Sequence, residues 1–288
     1  MKLRSAELNT VDDLSRSCDV ASVRKALQIL CEFDAQTPRL GTSEVSRRLG
    51  LPKSTAHNLL RTLESLDFLK QDAVDRHWGL GPRVYELGLR FSQSTHLVSA
   101  AMPHLEALAQ ATRETVKLAI LSGDDLLVMA AIESPYQLHT RGDEGERAPL
   151  HCTGLGKALL ATLPIPQAVA IASHRGLKKF TQHTITTAAR LAEELTRIQA
   201  DGFSLDREEN EAGVVCVAAP ISVQASKTHA AVSVSAPSSR LHGSLIQDCI
   251  QRVVPTARAV EQALGARRQR PAAPAAPPAK AKSNRGNR

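Results

Sequence analysis

Two breaks in an apolar pattern constrain this chain more than any other feature. Thr37-Pro38…Gly41 and Gly50-Leu51-Pro52 cut residues 22–65 into three short helical pieces. From Ser22 onward, Val23, Ala26, Leu27, Leu30 and Phe33 fall along one face at helical spacing. Thr42 or Ser43 can cap a short second helix whose inward residues are Val45 and Leu49. Gly50 stands where that helix must end, and Pro52 suits the first turn of the next. The third piece spans Pro52 to Ser65, with Ala56, Leu59, Leu60 and Leu63 as its buried stripe. A supporting helix followed by two helices across a tight Gly-containing turn is the helix-turn-helix arrangement.

The outward face of the third helix gives this arrangement chemical content. At about 100° per residue, Ser54, His57, Asn58 and Arg61 gather opposite the leucines. Asn and Arg pair with adenine and guanine edges, while Ser and His bond bases or phosphates. Lys53 stands at the helix start, where the dipole already favours phosphate. Thr42 and Ser43 are placed to bond the DNA backbone from the second helix. Spacing alone leaves a solvated face of a helical hairpin equally open. The next segment shifts the balance: Phe68–Gln71 and His77–Leu80 flank the polar run Asp72 to Arg76, a hairpin with Arg76 and His77 at its tip. Helix-turn-helix plus hairpin is a winged helix. Pro82 then opens a further helix bearing Val84, Leu87 and Phe91, which joins two domains near residue 98.

Length supports that division, since 288 residues exceed what one core usually organises. The formal charge of +7 does not identify a nucleic-acid binder. Residues 1–91 are nearly balanced at +2 and residues 92–265 stand at −2, while 266–288 carry seven basic residues and no acid. This last segment, rich in Pro and Ala, has no means of forming a core and is expected to be disordered. It reads as a solubilising extension or as a non-specific phosphate-binding arm. Residues 1–21 read as a loose arm without a secretory apolar run, and no stretch of about 18 apolar residues exists to span a membrane. The expected compartment is the cytoplasm. The five cysteines (Cys18, Cys31, Cys152, Cys216, Cys249) are scattered and never spaced as CxxC, which argues against a disulfide framework or a zinc site. All but Cys216 read simply as small buried hydrophobes. No metal or cofactor is implied.

The second domain begins near Ser99. Ala101 to Thr112 is helical, and Val116 to Leu121 and Leu126 to Ile132 are strands joined by Ser122-Gly123-Asp124-Asp125. Gly154 to Leu163 and Ala188 to Ala200 are helices, Val214 to Ile221 and Ala230 to Ser235 are strands, and Ser244 to Leu264 is a closing helix. Strands at both ends with helices between make an α+β domain.

Ordered pieces of the chain resemble the IclR family of bacterial transcriptional regulators over Ser22 to Gly265. The run Leu51-Pro52-Lys53-Ser54-Thr55-Ala56-His57-Asn58-Leu59-Leu60 is similar to the family's recognition helix, Leu80-Gly81 to the end of its wing, and Glu114-Thr115-Val116 to the start of its ligand domain. Pro149-Leu150-His151, Gly156–Ala161 and Gly202…Asp206…Glu209…Cys216-Val217-Ala218-Ala219-Pro220-Ile221 follow in order. The pattern departs after Ile221, where Ser222-Val223 replace the usual aromatic or His followed by Asp or Asn. The resemblance implies a winged helix-turn-helix over 22–81, a linker helix over 82–98 and a GAF-like α+β effector domain over 99–265. It also implies double-stranded operator DNA, a small organic or aromatic acid as effector, and a homodimer or dimer of dimers.

On the DNA side the resemblance adds Thr55 to the face described above. Carried over by position, the effector pocket comprises Gly154, Leu155, Asp206, Cys216, Ser233 and Ser235. Gly154 precedes a helix, whose first N–H groups can hold a carboxylate. Ser233 and Ser235 alternate on a strand and point to one side. Asp206 repels an acid, so it suits accepting from backbone groups or a ligand hydroxyl. The plainer alternative is a helix start, satisfied buried serines and a packing thiol. An enzyme using Cys152 or Cys216 with His151 is disfavoured, because neighbouring side chains in an extended segment point apart. DNA compaction by the basic tail is a third reading, in which removing 266–288 abolishes binding.

Overall fold

A computed structural model describes residues 20–34, 36–223 and 228–268. The expected N-terminal arm before residue 20, and the basic tail beyond Arg268, lie outside the described residues. The chain divides into two compact units between Ser94 and Thr95.

In the first unit, helices α1 (Ala21–Leu30), α2 (Thr42–Arg48) and α3 (Lys53–Ser65) are followed by strands β1 (Leu69–Gln71) and β2 (Trp78–Leu80) and by helix α4 (Pro82–Thr95). The core gathers Ile29, Val45, Ala56, Leu60, Leu63 and Trp78. Gly50 turns the chain between α2 and α3 with φ 62°, a left-handed conformation that favours glycine. The Leu51 N–H then donates to the Ser46 carbonyl at 2.9 Å. β1 and β2 pair antiparallel, Leu69 opposite Leu80, which makes the expected wing. Trp78 locks that wing to the helices. Its backbone exchanges two hydrogen bonds with Leu40, and its indole N–H donates to Thr42 Oγ1 at 3.1 Å. Burying such a ring contributes about 2–3 kcal/mol. Gly81 is required where the wing returns: a Cβ there would lie 2.2 Å from the Asp67 carbonyl oxygen.

The face expected of α1 is only half right. Phe33 is buried and Ala26 and Leu30 are partly so, but Val23 and Leu27 are more than half exposed, and Ile29 takes the inward place. Helix α1 ends before Phe33, at Cys31, so its stripe turns away from the one read over a longer span.

The second unit is a six-stranded antiparallel sheet of order β5-β4-β3-β8-β7-β6. Its strands are β3 (Thr115–Ser122), β4 (Asp125–Ile132), β5 (Arg147–Ala148), β6 (Ser204–Arg207), β7 (Val214–Val223) and β8 (Thr228–Pro237). Helices α5 (Leu97–Thr112) and α9 (Ser244–Arg268) cover one face, meeting Val116, Leu118, Val217 and Val232. Helices α6 (Gly154–Leu160), α7 (Ile165–His174) and α8 (Ala188–Asp201) lie on the other, meeting Ala119, Ala218 and Ala231. Period-two alternation assigns each strand residue to one layer or the other.

Several boundaries differ from the expected ones. Helix α4 ends at Thr95 and α5 starts at Leu97, separated by His96 at φ 51°. Burial of Leu97 and Ala100 extends α5 upstream, which leaves Pro103 inside the helix. Helix α6 stops at Leu160 rather than Leu163. Where the family-like pattern is lost, β7 continues through Ser222-Val223, and the Ser222 N–H donates to Glu261 Oε1 at 2.5 Å. No described helix is long and apolar enough to cross a membrane.

Candidate functional site

The first surface is the outward side of α3. Lys53, Ser54, His57, Asn58 and Arg61 are exposed there, opposite the buried Ala56, Leu60 and Leu63, while Thr55 is half-buried. No described residue hydrogen-bonds the side chains of Ser54, His57 or Asn58, so these remain available to bases. Arg61 Nη1 donates to Glu64 Oε2 at 2.6 Å, and Glu64 Oε1 accepts from the Gln71 N–H of the wing. Ser43 is exposed on α2, but the Thr42 oxygen is already taken by Trp78.

At the wing tip, Asp72 accepts from the Val74 and Asp75 N–H groups, which hold its carboxyl below the ordinary value. Arg76 is exposed with φ 61°. The His77 ring is fixed by the Asp75 carbonyl and packs on Gly41, so it is less free than Arg76. Sequence reading passed over Arg39, which reaches both Asp72 and Asp75 at 2.9 Å and neutralises the two acids of the wing. Asp72 and Asp75, four and one residues before Arg76, were the available signal that a cation must come from elsewhere.

The second feature is a cavity of about 670 Å³ in the other unit. Two neighbouring rows of the sheet pass beneath it: Lys117, Ser233, Ala218 and Ser204 across β3, β8, β7 and β6, and Thr115, Ser235, Cys216 and Asp206 beside them. Of these, Lys117, Ser233, Ser235, Cys216 and Asp206 form its floor. All six residues carried over from the resemblance line this one cavity: Gly154, Leu155, Asp206, Cys216, Ser233 and Ser235. The segment between β4 and β5 forms a side wall with Leu138, His139, Thr140 and Arg141. Thr140 pins that wall by donating to the Ser235 carbonyl at 3.0 Å and accepting from Thr115 Oγ1 at 2.8 Å.

Each lining residue has a distinct state. Ser233 Oγ is 1% exposed and has no hydrogen-bond partner among the described residues. Gly154 lets α6 approach the sheet, since a Cβ there would stand 3.0 Å from Cys216 Cβ. The helix it opens has only seven residues, and Thr153 Oγ1 already accepts from the Gly156 N–H, so that terminus offers less than the bare sequence suggests. Asp206 Oδ1 accepts from the Glu209 N–H at 2.7 Å. Burial, with the Glu209 charge adding to it, pushes the Asp206 carboxyl up to about 7 against the pull of Lys157 and backbone N–H groups.

Lys157, on the otherwise apolar α6, is fully buried. Its ammonium donates to Glu209, to the Leu205 carbonyl and to Glu194, tying the chain around Asp206 to two helices. A lone lysine inside an all-apolar helical run was the signal for this anchor. Thiol chemistry finds no support. Burial pushes Cys152 up to about 12 and raises Cys216 further, leaving both as thiols. His151 is held by the Lys178 carbonyl instead of the neighbouring Cys152, whose sulfur faces Asn210. Cys31, expected inside, is exposed because it ends α1.

A polar recognition helix beside a two-stranded wing, followed by an α+β unit with a lined cavity, defines a two-part winged helix-turn-helix regulator. Residues 22–73 match the IclR helix-turn-helix domain, and residues 90–262 match the bacterial transcriptional regulator IclR C-terminal domain. The chain belongs to the IclR family of bacterial transcriptional regulators. It is 34% identical over 239 residues to the HTH-type transcriptional regulator BhcR of Paracoccus denitrificans (strain Pd 1222), covering 83% of this chain and 85% of that protein. It is 30% identical over 251 residues to the transcriptional repressor IclR of Escherichia coli (strain K12), covering 86% and 92%. An IclR homolog of Microbacterium hydrocarbonoxydans, solved in complex with 4-hydroxybenzoate, shares the fold with TM-score 0.76 at 24% identity, covering 85% of this chain and all of that one. DNA is the partner that the helix-turn-helix implies, and relatives named as regulators and repressors mark the chain as a regulator, not an enzyme.

Proposed function

We propose that the chain is an operator-specific regulator of transcription whose DNA affinity is set by a small organic or aromatic acid bound in the 670 Å³ cavity. The observation that carries this reading is the Ser233 hydroxyl, buried and unpartnered on the cavity floor. An unpaired buried hydroxyl costs about 1–3 kcal/mol, and a ligand acceptor relieves that cost. The complex of a fold relative with 4-hydroxybenzoate supports an acid of this size.

In this reading residues 22–81 read DNA, α4 joins the units, and 99–265 sense the effector. Lys53, Ser54, Thr55, His57, Asn58 and Arg61 enter the major groove. Thr42, Ser43, Arg76 and His77 bond the DNA backbone or the adjacent minor groove. The regulator works in the cytoplasm, on the nucleoid when bound to its operator. Helix α4 supports a homodimer, or a pair of dimers, because it buries none of its own residues and leaves Tyr85, Leu87, Leu89 and Phe91 between 43% and 71% exposed. A two-fold pair of recognition helices meets two half-sites about one DNA turn apart, and an effector that changes their separation changes affinity.

The test is binding of the full-length chain to a labelled duplex from its own upstream region and to a scrambled duplex. Titrations are run with and without 4-hydroxybenzoate, succinate or glyoxylate. A preference for the native duplex that one of these acids alters is the expected result. Equal binding to both duplexes would remove the DNA half of the reading, and indifference to every acid and its amide would remove the effector half.

A further inference from the structure

The cavity floor carries opposite characters at its two ends. Asp206 occupies one end of its row on β6, whereas Lys117 lies toward the other side of the sheet on β3. Lys117 stands directly opposite Ser233 in the β3–β8 register, so the ammonium side chain and the unpartnered hydroxyl rise from adjacent positions on the same face. The remaining inward residues of β3 toward the hairpin are Ala119 and Leu121, which pack into the apolar layer under α6 and α7. A lysine in that line is explained by what it meets in the cavity.

What it meets there is Glu146. Lys117 Nζ lies 3.3 Å from Glu146 Oε2, with the lysine side chain 15% exposed and the glutamate 42% exposed. A pair with one partner so open to water contributes little to stability. Both residues line the cavity. The other basic side chains of the wall, His139 and Arg141, lie instead against Glu133 and Asp143, neither of which lines it. Lys117 is therefore the cavity cation whose own partner is also part of the cavity. Leu126, Val128, Leu138 and Ala148 surround this end and offer an apolar bed for a carbon skeleton.

We propose that Lys117 selects the effector: its ammonium, with the Ser233 hydroxyl beside it, receives the effector carboxylate, which displaces the Glu146 carboxylate paired with it. Glu146 is an internal stand-in for the acid. The far end then meets Asp206, which accepts from an effector hydroxyl or, when protonated, donates to a carbonyl. This assignment rests on the reading of the cavity as the effector site, and it names the group that makes an acid the ligand of choice.

The test is calorimetric titration of the full-length chain with 4-hydroxybenzoate, succinate and glyoxylate, each against its amide. It uses wild type, Lys117→Met, Lys117→Arg and Glu146→Gln. Wild type is expected to bind at least one acid about ten- to a hundredfold more tightly than its amide, the effect of a charge-assisted hydrogen bond. Lys117→Met removes that discrimination and Lys117→Arg keeps it. Glu146→Gln tightens acid binding about two- to fivefold, because the competing carboxylate is gone. Thermal unfolding of each ligand-free variant establishes that it is folded, and the Glu146→Gln arm stands even where Lys117→Met is not. Acid discrimination that survives Lys117→Met, or acid binding weakened by Glu146→Gln, overturns the role of Lys117 while leaving the cavity as the effector site. Amides that bind wild type as well as acids do the same. No heat with any acid or amide removes the effector reading itself, and this assignment with it.

Discussion

Asp206 shows how one carboxyl can tie the cavity to solution conditions. It is 2% exposed, bonded to the Glu209 N–H and pushed up to about 7, chiefly by burial. Between its unfolded value near 4 and its folded value of about 7, the folded chain keeps a proton that the unfolded chain releases. Stability from this group is therefore greatest below about pH 4 and declines as pH rises through that window, with the full cost in place above about 7. Asp206→Asn keeps the acceptor oxygen for Glu209 and removes the charge. The expected outcome is higher stability at pH 8, on the order of 2–4 kcal/mol, with little change at pH 4–5, read from denaturant unfolding at each pH. A lower stability of the variant at pH 8 would show that the carboxylate is held by partners strong enough to offset its burial. The identity of Asp206 as a lining residue was legible through the resemblance, but its titration was not, because the burial that dominates it, and the Glu209 and Lys157 charges that modify it, arise only when α6 packs on β6. Ser233 illustrates the same limit: a serine on a strand reads as satisfied until the fold shows that no described residue reaches its hydroxyl.

At the scale of elements, α3 was the most legible part of the chain, because its leucine stripe and its polar face alternate over thirteen residues. That length carries several turns of 3.6-residue periodicity, and Gly50 and Pro52 mark its start. Replacing Arg61 by Ala is expected to relax base preference at one position, costing about 1–3 kcal/mol on the native duplex and little on others. Lys53→Ala is expected to weaken all duplexes more evenly and to reduce the salt slope by about one. Fluorescence anisotropy against single-base operator variants, at several salt concentrations, distinguishes the two patterns. If neither change alters binding, another element reads the DNA. Shorter or buried elements were not legible. Strand β6 has four residues, two of them buried polar ones, so it offers no apolar alternation. Helix α7 is rich in small residues and follows α6 after a brief turn, so no apolar stripe of its own marks it in the sequence. The α1 face was misassigned because Val23 and Leu27 satisfy the spacing while remaining outside the core.

For the whole molecule, α4 links the two units in sequence, and the proposed dimer places the contact between copies on its exposed apolar side chains. Leu87 and Phe91 lie one helical turn apart and are both exposed. Changing both to Glu is expected to convert dimers to monomers in light scattering and to weaken operator binding at least about tenfold, since a single half-site then carries the affinity. Dimers that persist in that variant would place the self-contact on another surface. The two-unit plan itself was legible from length and pattern, because the helix-turn-helix and the α+β segments have different periods.

The account stands on coupling between the cavity and the operator, and coupling has a direct signature. An effector that changes operator affinity by some factor must have its own affinity changed by the same factor when operator is bound. The decisive measurement is the dissociation constant of a cavity-binding acid for the full-length chain, free and saturated with operator, beside the operator constant with and without that acid. Equal factors, well removed from one, are the expected result. An acid that fills the cavity yet leaves the operator constant unchanged would contradict the account.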